Sequence, residues 1–178
     1  MKENKLVIIA GLARSGKDAM ADYLCGRHGF KKFVMSDALI NEMKKQNMET
    51  DKKTISEFGD SLREKDGMGA VAKLVMKRIE EENPEKIVIV GPRSVEEIEI
   101  FKENFSDVEI VKIESDKIKR FERKSAEDPQ DEKSFFGRDE RDVKNKGLEK
   151  VLRMADKTIE NNGTLEELYR KADELIAE

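Results

Sequence analysis

The sequence predicts a three-layer α/β/α fold in which about five parallel strands are covered by helices on both sides. Short apolar runs rich in β-branched residues alternate with segments of helical spacing along nearly the whole chain. The run from Ile87 to Val90 is apolar at every position and lies between turn residues, which is typical of a strand buried on both faces of a parallel sheet. Alternating strands and helices of these lengths indicate one domain over residues 1–178.

Each element is predicted by its own pattern. Apolar runs predict strands at residues 6–10, 30–35, 87–90, 108–113 and 155–159. Helical spacing of apolar residues predicts helices at residues 17–27, 37–47, 54–64, 67–82, 94–104, 115–124, 135–145 and 164–177, with a loop at 125–134. Ser36 or Asp37 is expected to cap the second helix, and Pro84 to end the fourth.

Composition excludes several classes of function. The net charge is −4, which gives no electrostatic basis for binding nucleic acid. Cys25 is the one cysteine and His28 the one histidine, so the chain can form neither an internal disulfide nor a zinc cluster. No signal peptide follows Met1 and no apolar stretch is long enough to span a membrane, so we expect a cytoplasmic location.

A glycine-rich loop lies between the first predicted strand and the first predicted helix. The segment is GLARSGK, with glycines five apart and a lysine directly after the second, which is the phosphate-binding P-loop pattern. Its backbone N–H groups can point around a phosphate chain, and the positive end of the helix dipole adds to them. Lys17 can reach the terminal phosphates as a mobile charge and is assigned a catalytic role. The alternative is a turn that contains two glycines by chance. The residues expected to bind ATP here are Gly11, Arg14, Ser15, Gly16, Lys17, Asp18 and Ala19.

The residue after the lysine departs from the P-loop consensus. A serine or threonine usually stands there and holds Mg²⁺ through its hydroxyl, whereas this chain has Asp18. A carboxylate can ligate Mg²⁺ directly or through water, so we expect Asp18 to be the metal ligand. Its negative charge also lies close to the phosphates, and the alternative is a P-loop that has lost its function.

Three residues near predicted strand ends are candidates for binding the acceptor substrate. Asp37 follows the second strand, where it can act as general base on a hydroxyl group, although capping the next helix is as common a role for aspartate. Arg93 follows the third strand and can bind a phosphate or carboxylate with two parallel hydrogen bonds. Arg63 lies in the insert between the second and third strands, residues 37–82. The alternative for Arg93 is a surface ion pair, and the alternative for Arg63 is a solvated arginine on an isolated helix.

Two pairs of arginines flank the predicted loop at 125–134. Arg120 and Arg123 precede it, and Arg138 and Arg141 follow it, each pair on one helical face. This arrangement resembles the lid of nucleoside monophosphate kinases, in which arginines neutralise charge on the transferred phosphoryl group. We therefore expect a lid at about 115–145, with Arg138 and Arg141 catalytic and Arg120 binding the nucleotide. The alternative is an exposed helix stabilised by local pairs with the interleaved acidic residues.

The chain resembles known kinases in its motifs. The segment RSGKD is similar to the P-loops of animal-type phosphomevalonate kinase and phage deoxynucleoside monophosphate kinase, which carry aspartate at this place. Nearly the whole chain resembles an archaeal family of uncharacterised P-loop proteins related to dephospho-coenzyme A kinase and adenylate kinase. The resemblance rests on the P-loop and on the segments SDAL, LRE, GPRS, RFER, RDER and NGTL. It implies that Asp37 is at the position of the catalytic aspartate of dephospho-coenzyme A kinase.

The chain departs from the pattern of this family at a second position. The family usually has aspartate where Val90 stands, so this chain lacks one carboxylate of the usual metal shell and gains another at Asp18. We interpret the two changes as compensating. The leading hypothesis is thus a P-loop kinase that uses ATP and Mg²⁺ to phosphorylate a nucleotide-like or phosphorylated metabolite. The alternative is a nucleotide-dependent regulatory ATPase without a small-molecule acceptor.

Overall fold

The computed structural model describes residues 2–145 and 147–177, and it contains the predicted parallel sheet. Its strands are β1 (Lys2–Ala10), β2 (Lys31–Val34), β3 (Lys86–Val90), β4 (Phe105–Glu114) and β5 (Lys157–Glu160). They pair in the order β2-β3-β1-β4-β5, and all four pairings are parallel. The α/β prediction and the five strands are confirmed.

Nine helices occur among the described residues. They are α1 (Lys17–His28), α2 (Met35–Lys45), α3 (Lys52–Asp66), α4 (Ala70–Glu82), α5 (Val95–Asn104), α6 (Lys117–Glu122), α7 (Glu132–Asn145), α8 (Leu148–Arg153) and α9 (Leu165–Ala177). The prediction omitted α8, because six residues are too few to show a helical period. Capping of α2 by Ser36 or Asp37 is wrong: the helix begins at Met35, and Val34 occupies the N-cap without a side-chain hydrogen bond.

The sheet is buried on both faces because its central strands are apolar throughout. Leu6 and Ile8 point into a cluster under α2, α4, α5 and α8, whereas Val7 and Ile9 point into a second cluster under α1 and α9. These four side chains have no exposed surface. Within the described residues, no helix has both the length and the apolar character needed to cross a bilayer.

The carboxyl ends of the strands lie together at one edge of the sheet. Because β1 lies between β3 and β4, the loop that follows β1 is flanked by the loops that follow its two neighbours. In open α/β sheets this edge is where ligands bind. Helices α2 to α4 form the insert between β2 and β3, and α6 and α7 lie between β4 and β5.

Candidate functional site

The two glycines of the loop after β1 are required by close approaches. A Cβ atom at Gly11 would lie 2.6 Å from the main-chain oxygen of Ile113, at the end of the adjacent β4. Gly16 has φ of 110°, and a Cβ there would lie 2.2 Å from the side-chain nitrogen of Asn161. Only glycine fits either position without displacing the neighbouring strand or loop.

Lys17 is the first residue of α1 and its ammonium group turns back over the loop. Its Nζ donates a hydrogen bond to the main-chain oxygen of Leu12 at 2.8 Å. The N–H of Ser15 donates to the same oxygen at 3.2 Å, and the Oγ of Ser15 is buried without a partner. The loop therefore holds a cation and an unused hydroxyl group beside its own main chain.

The electrostatic surroundings of Lys17 favour loss of its proton. Burial lowers the pKa of the lysine to about 8, because the charged form is poorly solvated there. The charges of Asp18 and Asp142 oppose this effect, whereas those of Arg93 and Arg120 strengthen it. An anion bound in the loop would restore the ordinary preference for the charged form.

Hydrogen bonds from two residues connect the loop to the end of β5. Neither residue is among those predicted to bind ATP or the acceptor. Asn161 is buried, and its Nδ2 donates to the main-chain oxygen of Ser15 at 2.8 Å. Arg123 donates to the main-chain oxygens of Asn161 at 2.8 Å and Arg14 at 3.5 Å, and to Ser115 Oγ at 2.9 Å. The sequence signal for Asn161 was its place directly after a strand.

A buried carboxylate joins the loop to the segment after α6. Arg14 has φ of 62°, a left-handed conformation that is uncommon for a residue with a side chain. Its Nε donates to Asp128 Oδ2 at 2.6 Å, and Arg138 Nη1 donates to Asp128 Oδ1 at 2.8 Å. Burial raises the pKa of Asp128, but the hydrogen bonds from Arg138, the Ser125 N–H and Arg14 outweigh it and hold that pKa well below its usual range. Asp128 is therefore ionised at any ordinary pH.

Arg120, on α6, is held in place by hydrogen bonds to α7 and to the glycine-rich loop. Its side chain is buried and makes two hydrogen bonds to Asp139, at 2.7 and 3.2 Å. Nη1 also donates to the main-chain oxygen of Ala13 at 3.1 Å, so this arginine contacts the glycine-rich loop directly. The alternative to a lid was a local pair of Asp139 within its own helix, whereas Asp139 pairs with Arg120 on α6.

The arginines expected on the acceptor side form a second buried network. Arg63 Nη2 donates to Glu97 Oε1 at 3.0 Å, and Glu97 is fully buried. The main-chain N–H of Arg93 donates to the other oxygen of Glu97 at 2.7 Å, while the Arg93 side chain binds Asp142 at 3.3 Å. Both arginines already have acidic partners, and Glu97, which sequence analysis did not select, holds them together.

Two of the predicted catalytic side chains are exposed. Asp37 lies in the first turn of α2, directly after β2, and Arg141 lies on α7. Within residues 2–145 and 147–177 neither side chain makes a hydrogen bond or ion pair. By contrast Ala19 packs against the apolar cluster beneath α1, so its contribution is to the core under the loop.

Asp18 lies outside the hydrogen-bond network of the loop. Its carboxylate forms an ion pair with Lys32 Nζ at 2.8 Å, and 69% of its side chain is exposed. Lys32 also pairs with Asp22, one turn further along α1, at 3.0 Å. Val90 is buried in the apolar cluster under α1, so the end of β3 offers no carboxylate. The described residues contain no cluster of three potential metal-binding side chains.

A cavity of about 260 Å³ opens beside the loop at the ends of β4 and β5. Gly11, Ser15 and Arg120 line it on the loop side. Ser115, Asp116 and Asn162 line it further out, and the Asp116 N–H donates to Asn162 Oδ1 at 2.8 Å. Gly11 and Ser15 of the glycine-rich loop thus form part of the cavity wall.

Comparison with known sequences identifies similar proteins from archaea. A UPF0200 protein of Sulfurisphaera tokodaii is 33% identical over 176 residues, covering 97% of this chain and 96% of that protein. A UPF0200 protein of Methanoregula boonei is 30% identical over 172 residues, covering 94% and 93%. A UPF0200/UPF0201 protein of Archaeoglobus fulgidus is 32% identical, and the chain spans 55% of its length. No family model matches the chain.

Comparison with solved structures identifies the same fold in a protein of Thermus thermophilus and in shikimate kinases. TT1252 from Thermus thermophilus matches with a TM-score of 0.70 at 16% identity, covering 99% of this chain and 98% of that one. Shikimate kinase from Bacteroides thetaiotaomicron matches with a TM-score of 0.63 at 10% identity, covering 98% and 99%. Shikimate kinase from Acinetobacter baumannii, solved with shikimate, matches with a TM-score of 0.60 at 17% identity, covering 98% and 93%. The fold is therefore kinase-like, and dephospho-coenzyme A kinase is not singled out.

Proposed function

We propose that this chain, which belongs to the UPF0200 family, is an ATP-dependent kinase of a small molecule. One observation carries the proposal: a glycine-rich loop with a half-buried lysine lies under arginines from two other segments. Lys17 lies at the loop, and Arg120 is held close to it by a hydrogen bond to the main-chain oxygen of Ala13. Arg138 is held close to it through Asp128, which accepts hydrogen bonds from both Arg138 and Arg14 of the loop. Such a gathering of cations suits the triphosphate of ATP and the charge that develops during phosphoryl transfer.

The nucleotide would occupy the loop and the adjoining cavity. The N–H groups at the start of α1 and the Lys17 ammonium group would bind the β- and γ-phosphates. The cavity beside Gly11 and Arg120 would receive the nucleoside, and Asp139 fixes Arg120 in the cavity wall. Ser15, with its unpartnered Oγ, would contribute a further hydrogen bond to a phosphate.

Asp18 fits a role in binding Mg²⁺ on energetic grounds. Mg²⁺ usually takes one or two carboxylates together with phosphate oxygens and water, so a single protein carboxylate is sufficient. The ion pair that now engages Asp18 is exposed, and such pairs are worth only about 0–1 kcal/mol. Exchanging Lys32 for an arriving metal ion would therefore cost little. When bound, the metal would neutralise charge on the phosphates.

Replacing Asp18 by asparagine tests this role with a matched control. We expect Asp18→Asn to weaken ATP binding in the presence of Mg²⁺ by about tenfold, the equivalent of one charge-assisted contact, while binding in EDTA holds or improves. Asp22→Asn removes the same charge from the other partner of Lys32, and it should leave both affinities unchanged. Calorimetry with ATP in Mg²⁺ and in EDTA measures both. Equal effects of the two substitutions on ATP affinity would mean that the net charge near Lys32 matters and that Asp18 makes no specific contact with the metal.

The acceptor would bind between Asp37 and the arginines on the insert side. Asp37 is free of protein partners within the described residues and can take the proton from an acceptor hydroxyl group. The hydroxyl oxygen then forms a bond to the γ-phosphorus as the bond to the β-phosphate oxygen breaks, and ADP leaves. Arg138 and Arg141 would neutralise the charge on the transferred group. Arg63 and Arg93 would bind an anionic part of the acceptor by giving up part of their pairing with Glu97 and Asp142.

The lowered pKa of Lys17 predicts how nucleotide affinity depends on pH. Without ligand the ammonium group loses its proton near pH 8, but phosphate binding requires the charged form. ATP affinity should therefore be constant below pH 8 and fall by up to about tenfold per pH unit above it, with uptake of one proton on binding. Calorimetry at pH 7 and 9 in buffers of different ionisation enthalpy measures both quantities. Equal affinity at the two pH values would contradict the assignment.

A thermal-shift screen tests the proposed function. The protein is melted with an ATP analogue and Mg²⁺, alone and with nucleoside monophosphates, dephospho-coenzyme A, phosphomevalonate or shikimate. A ligand at a hundred times its Kd adds about 2.7 kcal/mol of stability, which moves the melting temperature measurably. The compound that adds a further shift is then assayed for phosphorylation by ATP. ATP hydrolysis that no compound stimulates would instead favour the regulatory ATPase.

A further inference from the structure

The carboxylate of Asp128 joins three segments around the proposed site. Only 2% of its side chain is exposed. Oδ2 accepts from Arg14 Nε at 2.6 Å and from the Ser125 N–H at 2.9 Å, and Oδ1 accepts from Arg138 Nη1 at 2.8 Å. Lys52, at the start of α3, places its Nζ 3.6 Å from Oδ1. The loop, the segment after α6 and the insert thus meet at this residue.

The hydrogen bond to Asp128 uses only one end of the Arg138 guanidinium group. The other two nitrogens, Nε and Nη2, are buried and have no partner among the residues that the structure describes. These two N–H groups form the edge of arginine that matches two oxygens of a phosphate. Phe135 supports the guanidinium plane, with its ring centre 4.8 Å from Cζ. Buried donors without partners are unfavourable, so this edge indicates a place for an anion.

Arg14 differs from Arg138 in this respect. Its Nε binds Asp128, and its Nη2 binds Ser125 Oγ at 2.8 Å, so its corresponding edge is already in use. The left-handed backbone of Arg14 is strained for a residue with a side chain, and it directs that side chain to the segment after α6. Arg14 therefore anchors Asp128 and leaves the phosphates to other groups.

We propose that Asp128 is a positioning residue, which holds Arg138 so that its free edge is presented to the terminal phosphoryl group of ATP. This inference rests on the proposed function. Asp128 bonds to Nη1 alone, so it leaves the Nε and Nη2 edge of Arg138 unused. An asparagine would keep the shape but lose the charge that holds two arginines at once.

Calorimetry with ADP and the non-hydrolysable analogue AMP-PNP tests the proposal, because the two differ by the γ-phosphate. We expect the wild type to prefer AMP-PNP by at least about tenfold, and Asp128→Asn to reduce the preference to about twofold, with ADP affinity nearly unchanged. Asp128→Glu keeps both ion pairs, and so the fold, but displaces the arginines by one methylene; it should reduce the preference by about threefold.

Glu127→Gln is the matched control. Its carboxylate is in the same segment and is 80% exposed, so removing its charge should leave the preference at the wild-type value. ADP affinity shows in each case that the variant is folded. If Asp128→Asn does not fold, Asp128→Glu alone decides.

Three results would overturn the role of Asp128 while nucleotide still binds. The first is an unchanged preference for AMP-PNP in the Asp128 variants, and the second is no preference in the wild type. The third is tighter AMP-PNP binding by Asp128→Asn, which would mean that the carboxylate competes with the γ-phosphate. A wild type that shows the expected preference but phosphorylates no acceptor would refute the kinase proposal and leave the role of Asp128 intact. A wild type that binds neither nucleotide would refute both.

Discussion

Replacing Lys17 by alanine is expected to lower ATP affinity by about a hundredfold. The ammonium group would make charge-assisted contacts to the β- and γ-phosphates, worth about 1.5–3 kcal/mol in total when part of a preformed site. Its present bond is to the Leu12 main-chain oxygen within the loop, so its removal leaves no acidic side chain unpaired. The variant should therefore melt close to the wild-type temperature.

The control for this result is Lys31→Ala. Lys31 also carries a single positive charge, but it is half-exposed in β2 and pairs with Glu82 at 2.6 Å. Its replacement should change ATP affinity by less than about twofold, as expected for a surface ion pair. Calorimetry measures both variants. Equal ATP affinity in Lys17→Ala and in the wild type would refute the P-loop assignment.

The strands of this fold were predictable because burial on both faces leaves a continuous apolar run. Ile87 to Val90 is such a run, and it corresponds to β3 within one residue. The prediction began β4 at Val108, whereas the strand begins at Phe105, because the exposed Ser106 and Asp107 interrupt the apolar pattern. Apolar patterns therefore predicted the strands of the sheet but not the polar ends of those strands.

The loop was predictable for a different reason. Its two glycines are required by the close approach of Gly11 to Ile113 and of Gly16 to Asn161. The spacing of a local motif carries that constraint directly. Its departure at Asp18 was also visible, but the pairing of Asp18 with Lys32 was not, because it depends on how α1 packs against β2.

The partners of the arginines were beyond sequence reasoning. The interleaved charges around Arg138 suggested pairs within one helix. Arg120 instead binds Asp139, nineteen positions away, and Arg14 binds Asp128, 114 positions away. Local spacing identifies pairs that lie within one or two helical turns. Pairs formed by the folding of one segment over another need the tertiary structure.

The tertiary structure gives different surroundings to the two arginines that were predicted to be catalytic. Arg138 holds two unpartnered buried nitrogens beside Asp128, whereas Arg141 is exposed and unpaired within residues 2–145 and 147–177. Arg138→Ala should lower kcat by about a thousandfold, the scale of an arginine that neutralises charge in phosphoryl transfer. Arg141→Ala should lower it by about tenfold, because a solvated charge is screened.

The same substitutions should change ATP affinity less than kcat. Arg138→Ala should lose the roughly tenfold that its γ-phosphate contact adds to ATP affinity, and the rest of the loss should appear in kcat because further charge develops during transfer. Arg153→Ala is the control, since Arg153 is an exposed arginine paired with Glu149 on α8, and it should retain full turnover. Steady-state kinetics with the acceptor from the thermal-shift screen, together with ATP binding by calorimetry, separate the two quantities. If Arg138→Ala lost affinity for ATP as strongly as turnover, the arginine would bind the ground state and would not be catalytic in the sense proposed.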